Sequence, residues 1–281
     1  MQLFIAEKPS LAQAIASAIG NGKRGDGCIY FDEKNIVVSW AFGHILENFN
    51  PDDYDENLKK WSWKTLPIVP HEWKLKVKSS ATKQFSILKN LISKADEIVH
   101  AGDPDREGQL LIDEILEFVG NKKTVKRILL NALDEKSVKQ ALQNLRDNQE
   151  FLQLHNSALG RSRADWLVGI NLSRAFSLIS WSKDGEKISV GRVMTPTMCL
   201  VIRRENEIKN FTPVNYFSLT GKFSANEKSF TGDWLISDDF PNLDSQGRIL
   251  TKEPVQKIAN DLNNFQSDVA KILEIKLLDK K

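Results

Sequence analysis

The sequence has few cysteines, no long apolar run and no excess of charge of one sign. Its only two cysteines, Cys28 and Cys199, are far apart, which excludes a disulfide framework or a zinc ribbon and predicts a reducing compartment. No apolar segment approaches the roughly 20 residues that a membrane span needs, so we expect a cytoplasmic protein with no membrane partner. The net charge of +2 decides nothing about partners, because it can hide a local basic patch.

The first half of the chain alternates short apolar runs with amphipathic segments. Four apolar runs predict strands, at residues 2–6, 36–42, 97–101 and 125–130. Helical spacing follows the first and third runs, and Asp134 is placed to cap a further helix. Because strands and helices alternate, residues 1–152 are predicted to form an α/β domain with a Rossmann-like parallel sheet.

The second half of the chain changes pattern twice. Residues 153–211 contain helical patterns, including a helix predicted to begin at Pro196 with Thr195 as its cap. Alternating apolar and polar residues with turn signals predict a β-rich segment over residues 212–281. Within it we expect a helix at about residues 254–265 and a final strand in KILEIKLL.

Three acids occupy alternate positions in AGDPDREGQLL, directly after the predicted strand EIVHA. In an extended chain Asp103, Asp105 and Glu107 point to one side, and Glu7 ends the first predicted strand in the same manner. The carboxyl ends of parallel strands share one edge of a sheet, so the four acids are expected to converge. Converging like charges need a cation, and an oxygen-only donor set favours Mg²⁺ with a phosphate-bearing partner.

Two other interpretations of these acids are open. In the first, acids at the start of the predicted helix serve only as caps and as partners of the helix dipole. In the second, the segment from Asp103 to Glu114 is a calcium-binding loop, whose pattern it approximates. The second is disfavoured, because a predicted strand precedes the loop where an EF-hand has a helix, and Leu111 occupies a ligand position that is normally polar.

Four separated motifs resemble those of the type IA DNA topoisomerases, in particular the topoisomerase III branch. They are FIAEKPS, AGDPDREGQLL, RSRADWLVGIN and SVGRVMTP, in the family's order and spacing, and the similarity extends over essentially the whole chain. The resemblance implies an N-terminal Toprim domain over residues 1–152, a partial helical domain over 153–211 and a partial gate or arch domain over 212–281. It also implies ATP-independent breakage, passage and rejoining of single-stranded DNA.

The resemblance also implies roles for individual residues. Glu7, Asp103, Asp105 and Glu107 are the implied Mg²⁺ ligands, and Lys8, which the motif alone distinguishes from a surface lysine, is the implied cation for the scissile phosphate. These five are the implied catalytic residues. The implied DNA-binding residues are Trp61, Arg161, Arg163, Trp166, Arg174, Ser189, Val190, Gly191, Arg192, Val193 and Met194.

The residue types in two of these segments suit single-stranded DNA. Arg163 and Arg174 lie near one line of a helix, with Trp166 about 60° away, and guanidinium and indole groups suit phosphates and unpaired bases. Periodicity alone fits equally a core Trp166 beside solvated arginines, and a packing role for Trp61. Arg192 precedes a predicted helix N-terminus, where an anion is favoured.

Three further positions complete the sequence predictions around the motifs. Met194 stands where the family usually has glutamine, and its thioether cannot make the hydrogen bonds of an amide. His44 and His100 are interpreted as structural histidines.

The three tyrosines, Tyr30, Tyr54 and Tyr216, do not lie in the Tyr-Pro-Arg context of the family's nucleophile. In the family that tyrosine lies in a later domain, so we expect this chain to be a fragment, a truncated product or one part of a split enzyme. It would then need a second polypeptide for strand cleavage, and its β-rich segment would leave apolar surface exposed. A hydrolytic Toprim nuclease with Mg²⁺-activated water, or a DNA-binding module without chemistry, are the alternatives.

Overall fold

The computed structural model describes residues 1–180, 187–225, 228–237 and 239–264. The chain divides into two compact units, residues 1–200 and residues 201–281. The strand predicted in KILEIKLL lies outside the described residues. Within the described ranges, none of the helices combines the length and the apolar character that crossing a bilayer requires.

Most of the helices and strands of the described residues lie in the first unit, and β10, β11 and α8 lie in the second. The helices in chain order are α1 (Pro9–Ile19), α2 (Pro51–Tyr54), α3 (Thr82–Lys94), α4 (Arg106–Phe118), α5 (Glu135–Leu142), α6 (Leu152–Ile179), α7 (Met194–Lys209) and α8 (Lys252–Asn263). The strands are β1 (Gln2–Ala6), β2 (Lys23–Arg24), β3 (Cys28–Phe31), β4 (Ile36–Trp40), β5 (Leu46–Asn48), β6 (Leu75–Val77), β7 (Glu97–Ala101), β8 (Val125–Arg127), β9 (Arg146–Asp147), β10 (Thr220–Ala225) and β11 (Lys228–Asp233).

A seven-stranded sheet in the order β2-β3-β4-β1-β7-β8-β9 forms the centre of this unit. The strands β4, β1, β7 and β8 are parallel, as the sequence predicted. The sheet is mixed at both edges, where β2, β3 and β9 pair antiparallel. Only residues 32–35 separate β3 from β4, and so short a connection permits antiparallel but not parallel pairing.

Both faces of the sheet are buried, which explains why its central strands are mostly apolar. In β1, Leu3 and Ile5 pack with α3 and α4 on one face. Phe4 and Ala6 pack with α1 and α5 on the other, because successive side chains of a strand alternate in direction. Helix layers on both sides therefore leave the carboxyl edge of the sheet as the place where polar residues gather.

A fully buried arginine, Arg127 at the end of β8, holds the segment that follows β7. Its guanidinium donates to the carbonyl oxygens of Gly102 at 2.9 Å and Asp103 at 2.7 Å, and its Nε donates to Gln109 at 2.9 Å. Burial lowers the pKa of Arg127 to about 10, so the group stays charged near neutral pH. These hydrogen bonds therefore fix the backbone of Gly102 and Asp103, where the acidic segment begins.

His100, in β7, is a structural histidine, as predicted. Its ring is buried, Nδ1 accepts a hydrogen bond from the Gly102 amide at 3.2 Å, and Nε2 donates to the Gln109 carbonyl at 3.0 Å. One acceptor and one donor describe a neutral ring. Burial, followed by the charge of Arg127, lowers the pKa of His100 to about 4.

A buried polar cluster joins α4 to α6. Asp113 accepts hydrogen bonds from Gln109 at 2.9 Å, Asn148 at 2.8 Å and His155 Nδ1 at 3.2 Å. The hydrogen bond to Asp113 raises the pKa of His155. Because all four polar groups are satisfied by one another, the cluster fixes the start of the 28-residue helix α6 against α4.

The structure places the start of α7 earlier than the sequence predicted. The helix begins at Met194 rather than Pro196, and Thr195 lies in its first turn, where its Oγ1 accepts a hydrogen bond from the Gly191 amide at 3.0 Å. A proline is tolerated within the first turn, so Pro196 does not set the boundary. Cys199 in this helix is exposed and free, whereas the free thiol of Cys28 is buried.

The second unit contains an antiparallel hairpin of β10 and β11, followed by α8. The cross-strand pair Phe223 and Phe230 stacks with ring centroids 5.3 Å apart, yet the two residues are 50% and 59% exposed. Leu235 is 91% exposed. The prediction that this segment leaves apolar surface exposed is confirmed for its described residues.

We predict that the stability of the protein falls with acidification through His100. The folded protein holds this ring neutral down to pH about 4, whereas the unfolded chain takes up the proton near pH 6.5. The unfolded state therefore binds more protons between these values, and roughly 3 kcal/mol of stability is lost as the pH falls across them. Urea unfolding across this pH range measures the loss.

The variant His100→Gln should show a flatter dependence on pH than the wild type in the same range. His71→Gln, at an exposed histidine, is the matched control and should retain the wild-type slope. Equal slopes for wild type and His100→Gln would contradict the assignment of a neutral buried ring.

Candidate active site

Parallel pairing of β1 with β7 brings Glu7 and Asp103 together. Ala6 lies opposite Ala101 in the register, so the two strands end at the same edge of the sheet. The amide of Asp103 donates a hydrogen bond to Glu7 Oε2 at 3.0 Å. The sequence predicted that four acids converge, and among the described residues the structure shows such a contact for Glu7 and Asp103.

Lys8 lies beside these acids and contacts one of them. Its Nζ donates to Asp103 Oδ2 at 2.7 Å, and this hydrogen bond raises the pKa of the lysine, with support from the charges of Asp103, Glu7 and Asp105. The side chain of Lys8 is 44% exposed, so the ammonium group stays accessible from solvent. A cation is thus held at the carboxyl edge of the sheet, beside the acids.

Asp105 and Glu107 have different partners. Asp105 is the N-cap of α4, and its Oδ1 accepts a hydrogen bond from the Gly108 amide at 2.8 Å. This acid therefore caps the helix, whether or not it also binds a metal ion. Glu107 lies in the first turn of α4, and its Oε1 is 3.2 Å from Arg161 Nη1. The calcium-loop interpretation is wrong, because the strand β7 precedes the segment and Glu114 is buried within α4.

Two glycines allow this turn to be as tight as it is. A Cβ atom at Gly108 would lie 2.6 Å from the amide nitrogen of Asp103 and 2.8 Å from Glu7 Oε2. A Cβ atom at Gly102 would clash with the carbonyl oxygen of Gly108. Any side chain at either position would push the start of α4 away from the end of β7, and with it the acids.

The four acids fit Mg²⁺ by their donor chemistry. All supply carboxylate oxygen, and they come from the ends of two adjacent strands and the helix start that follows. At present protein donors occupy them, and the described residues contain no group of three or more acids, histidines or cysteines close enough to chelate a metal ion. The assignment of Glu7, Asp103, Asp105 and Glu107 as ligands stays a prediction.

A line of alternating charges runs from the acids along α6. Arg161 lies 3.2 Å from Glu107 and 3.8 Å from Asp165, one turn further along the helix. Asp165 in turn accepts a hydrogen bond from Arg192, which precedes α7. This bond lowers the pKa of Asp165 and raises that of Arg192. Asp165 was missed from the sequence, although its place four residues after Arg161 was the available signal.

Trp61 is held between cationic side chains. The guanidinium of Arg174 lies 5.3 Å from the ring centroid, and Lys187 Nζ lies 5.0 Å from it. Arg174 is buried and donates to the Leu58 carbonyl at 2.7 Å. Arg174 therefore positions Trp61 in this structure, and direct contact of either residue with DNA stays a prediction.

Trp166 and Arg163 belong to an aromatic cluster. The indole of Trp166 donates to the Phe49 carbonyl at 2.9 Å and packs edge-on against Tyr54 and Trp73. Arg163 lies over the Trp73 ring at 5.4 Å, with its buried Nε unpaired. The packing interpretation describes Trp166 here, and a role in DNA binding stays a prediction for both residues.

The SVGRVM segment is mostly exposed and is tethered to α6. The Val190 amide donates to Ser173 Oγ at 2.8 Å, which fixes the segment two residues before Arg192. Met194 is 49% exposed at the start of α7. The described positions of the segment, including Ser189, Gly191 and Val193, therefore face solvent or the helix start, and their contact with DNA stays a prediction.

Comparison with known proteins gives two adjoining family matches. A Toprim domain model matches residues 2–133, and a DNA topoisomerase model matches residues 149–281. The full-length topoisomerase I of Thermotoga maritima resembles the chain in fold, with a TM-score of 0.56, 23% identity, and coverage of 91% of this chain and 37% of that one.

Curated relatives are similar over nearly the whole chain. DNA topoisomerase 3 of Vibrio cholerae is 44% identical over 95% of this chain and 43% of its own length. The enzyme of the same name from Salmonella typhimurium is 42% identical over 94% of this chain and 42% of its own length. This chain thus spans less than half the length of these relatives. On these matches the chain is a type IA topoisomerase III-like protein over the length that it spans.

Proposed function

We propose that this chain supplies the metal-binding and DNA-binding part of a topoisomerase that breaks, passes and rejoins single-stranded DNA without ATP. The observation that carries the proposal is the ion pair between Arg161 of α6 and Glu107 of the acidic segment. In this pair an arginine, whose guanidinium suits phosphates, contacts one of the carboxylates that suit Mg²⁺. We further propose the domain boundaries at residues 152 and 211.

The residues that would hold Mg²⁺ are Glu7, Asp103, Asp105 and Glu107. When bound, the ion supplies positive charge that stabilises the transferring phosphate. The chain's own contribution is to orient that phosphate, because Lys8 and Arg161 already lie at the same edge as the acids. Arg161 offers a planar fork suited to two phosphate oxygens, whereas Lys8 offers a compact charge.

We propose that the nucleophilic tyrosine is supplied by a segment other than those that carry Tyr30, Tyr54 and Tyr216. The hydroxyl of Tyr54 accepts a hydrogen bond from the Lys74 amide at 3.0 Å, and its ring packs on Trp166. A hydrogen bond with Cys28 raises the pKa of Tyr30, which disfavours the nucleophilic phenolate. Tyr216, in the second unit, lies under the guanidinium of Arg248 at 5.4 Å.

Mg²⁺ is expected to raise the melting temperature of the wild-type chain when ionic strength is held constant with KCl. A ligand that binds only the folded state adds stability by mass action, about 2.7 kcal/mol at a hundredfold excess over its dissociation constant. Removing the ligand charge in Asp103→Asn should abolish most of the shift. Differential scanning fluorimetry measures all three proteins, the third being the control Glu135→Gln.

The control removes one exposed carboxylate that pairs with Lys139, so it matches the charge change at a position outside the site. It should keep the wild-type shift. If Mg²⁺ shifts Asp103→Asn as much as the wild type, the proposed metal site is wrong.

Covalent capture of DNA tests the proposed activity. The chain is mixed with Mg²⁺ and labelled single-stranded DNA, alone or with the tyrosine-bearing segment of a related topoisomerase, and quenched in denaturant. We expect a protein-linked label only with the added segment, and we expect it on that segment. Asp103→Asn should reduce the yield by at least about tenfold, as the loss of a charge-stabilising group costs more than 1.4 kcal/mol at the transition state.

The remaining outcomes of this experiment identify the alternatives. An adduct formed by the chain alone would make one of its own residues the nucleophile. Free nicked product with Mg²⁺ and without an adduct would indicate a hydrolytic nuclease. Binding of DNA that never yields cleavage, and that Asp103→Asn leaves unchanged, would indicate a binding module without chemistry.

A further inference from the structure

An acid occupies the middle of the surface that is proposed to bind DNA. Asp165 lies on α6 between Arg161, one turn earlier, and Arg192, which comes from the segment before α7. Its carboxylate contacts both guanidinium groups, with 3.8 Å to Arg161 Nε and a hydrogen bond from Arg192 Nε. Both arginines are among those that suit phosphates, so the acid faces the same groups that DNA would use.

Fold stability does not account for this acid. The side chains of Asp165, Arg161 and Arg192 are 40%, 36% and 44% exposed, and exposed ion pairs contribute at most about 1 kcal/mol. A carboxylate beside a phosphate is repulsive, so Asp165 opposes binding in any geometry that keeps its present place. The charge of Asp165 therefore has a favourable interaction in the DNA-free protein, where the carboxylate pairs with Arg192.

We propose that Asp165 is a resident counter-ion that occupies Arg192 and shares Arg161 until a phosphate of single-stranded DNA displaces it. The inference rests on the proposed function, because it takes single-stranded DNA as the ligand of this surface. Asp165 is a positioning residue in this role. Its carboxylate holds Arg161 of α6 and Arg192, which precedes α7, in place. It also reduces the affinity of the DNA-free surface for other anions.

A phosphate can replace the Asp165 carboxylate as the hydrogen-bond partner of Arg192. Carboxylate and phosphate both accept two hydrogen bonds from one guanidinium fork, so a phosphate can take over the donors of Arg192 without further rearrangement of that side chain. The exchange has a cost, however, since the Asp165 pair must be broken. In the wild type, the displaced Asp165 carboxylate attracts cations while the DNA releases its own, so removal of Asp165 makes the affinity more dependent on salt.

The test is equilibrium binding of the full chain to a labelled oligothymidylate, in EDTA so that metal and cleavage play no part, over a series of salt concentrations. Relative to wild type, Asp165→Asn should bind about threefold to fivefold tighter at low salt, the equivalent of one exposed pair. Its plot of log affinity against log salt should steepen by up to about 0.7, the value for one phosphate contact on a single strand.

Two further variants separate the role of Asp165 from a general change of charge. Glu135→Gln removes a carboxylate from another exposed ion pair, that with Lys139, and should change neither affinity nor slope by as much. In an Arg192→Gln background, Asp165→Asn should no longer tighten binding, because the arginine that it frees is absent.

Several results would overturn the proposal. One is an affinity of Asp165→Asn equal to that of Glu135→Gln or weaker than wild type. Another is a gain that persists in the Arg192→Gln background. If circular dichroism shows that Asp165→Asn is unfolded, Asp165→Ser takes its place with the same criteria. If the wild-type chain binds no oligothymidylate at low salt, both the proposed function and this inference are wrong. If it binds but Asp165→Asn has the wild-type affinity, only this inference is wrong.

Discussion

The parallel pairing of β1 with β7 is the constraint on which the site depends. It fixes Ala6 opposite Ala101, so that the next residues of both strands leave the sheet at one edge. Glu7 and Asp103 meet there through an amide hydrogen bond, and Lys8 follows. Neither strand forms the site by itself, because Glu7 follows β1 and Asp103 follows β7. Burial of both strands on two faces holds this register, because a slip by one residue would turn every side chain to the opposite layer.

Buried polar groups below the edge hold the acidic segment in place. Arg127 binds the carbonyl oxygens of Gly102 and Asp103, and neutral His100 accepts the amide of Gly102. These bonds satisfy backbone groups that the sharp turn into α4 leaves without a strand partner. A second polar cluster around Asp113 fixes α6 against α4, and so determines that Arg161 reaches Glu107. The chemistry at the surface thus rests on a preorganised layer beneath it.

Basic groups at this edge are balanced by acids in the absence of DNA. Lys8 pairs with Asp103, Arg161 with Glu107, and Arg192 with Asp165. Under the proposed function this surface would bind both Mg²⁺ and phosphate, and the acids and bases that would bind them neutralise one another in the free chain. Under the proposed function, this pairing would let a chain with a net charge of only +2 present arginines to a polyanion without a large basic field.

The sequence by itself determined the central strands, the cap at Asp134 and the convergence of Glu7 with Asp103, because these follow from local periodicity and from the shared edge of parallel strands. The family, too, was evident from four motifs. Only the tertiary structure decided the antiparallel edges, the earlier start of α7, the burial of Arg127 and the pairing of Asp165 with Arg192. The last two depend on contacts between residues far apart in the chain, which hydrophobic periodicity does not encode.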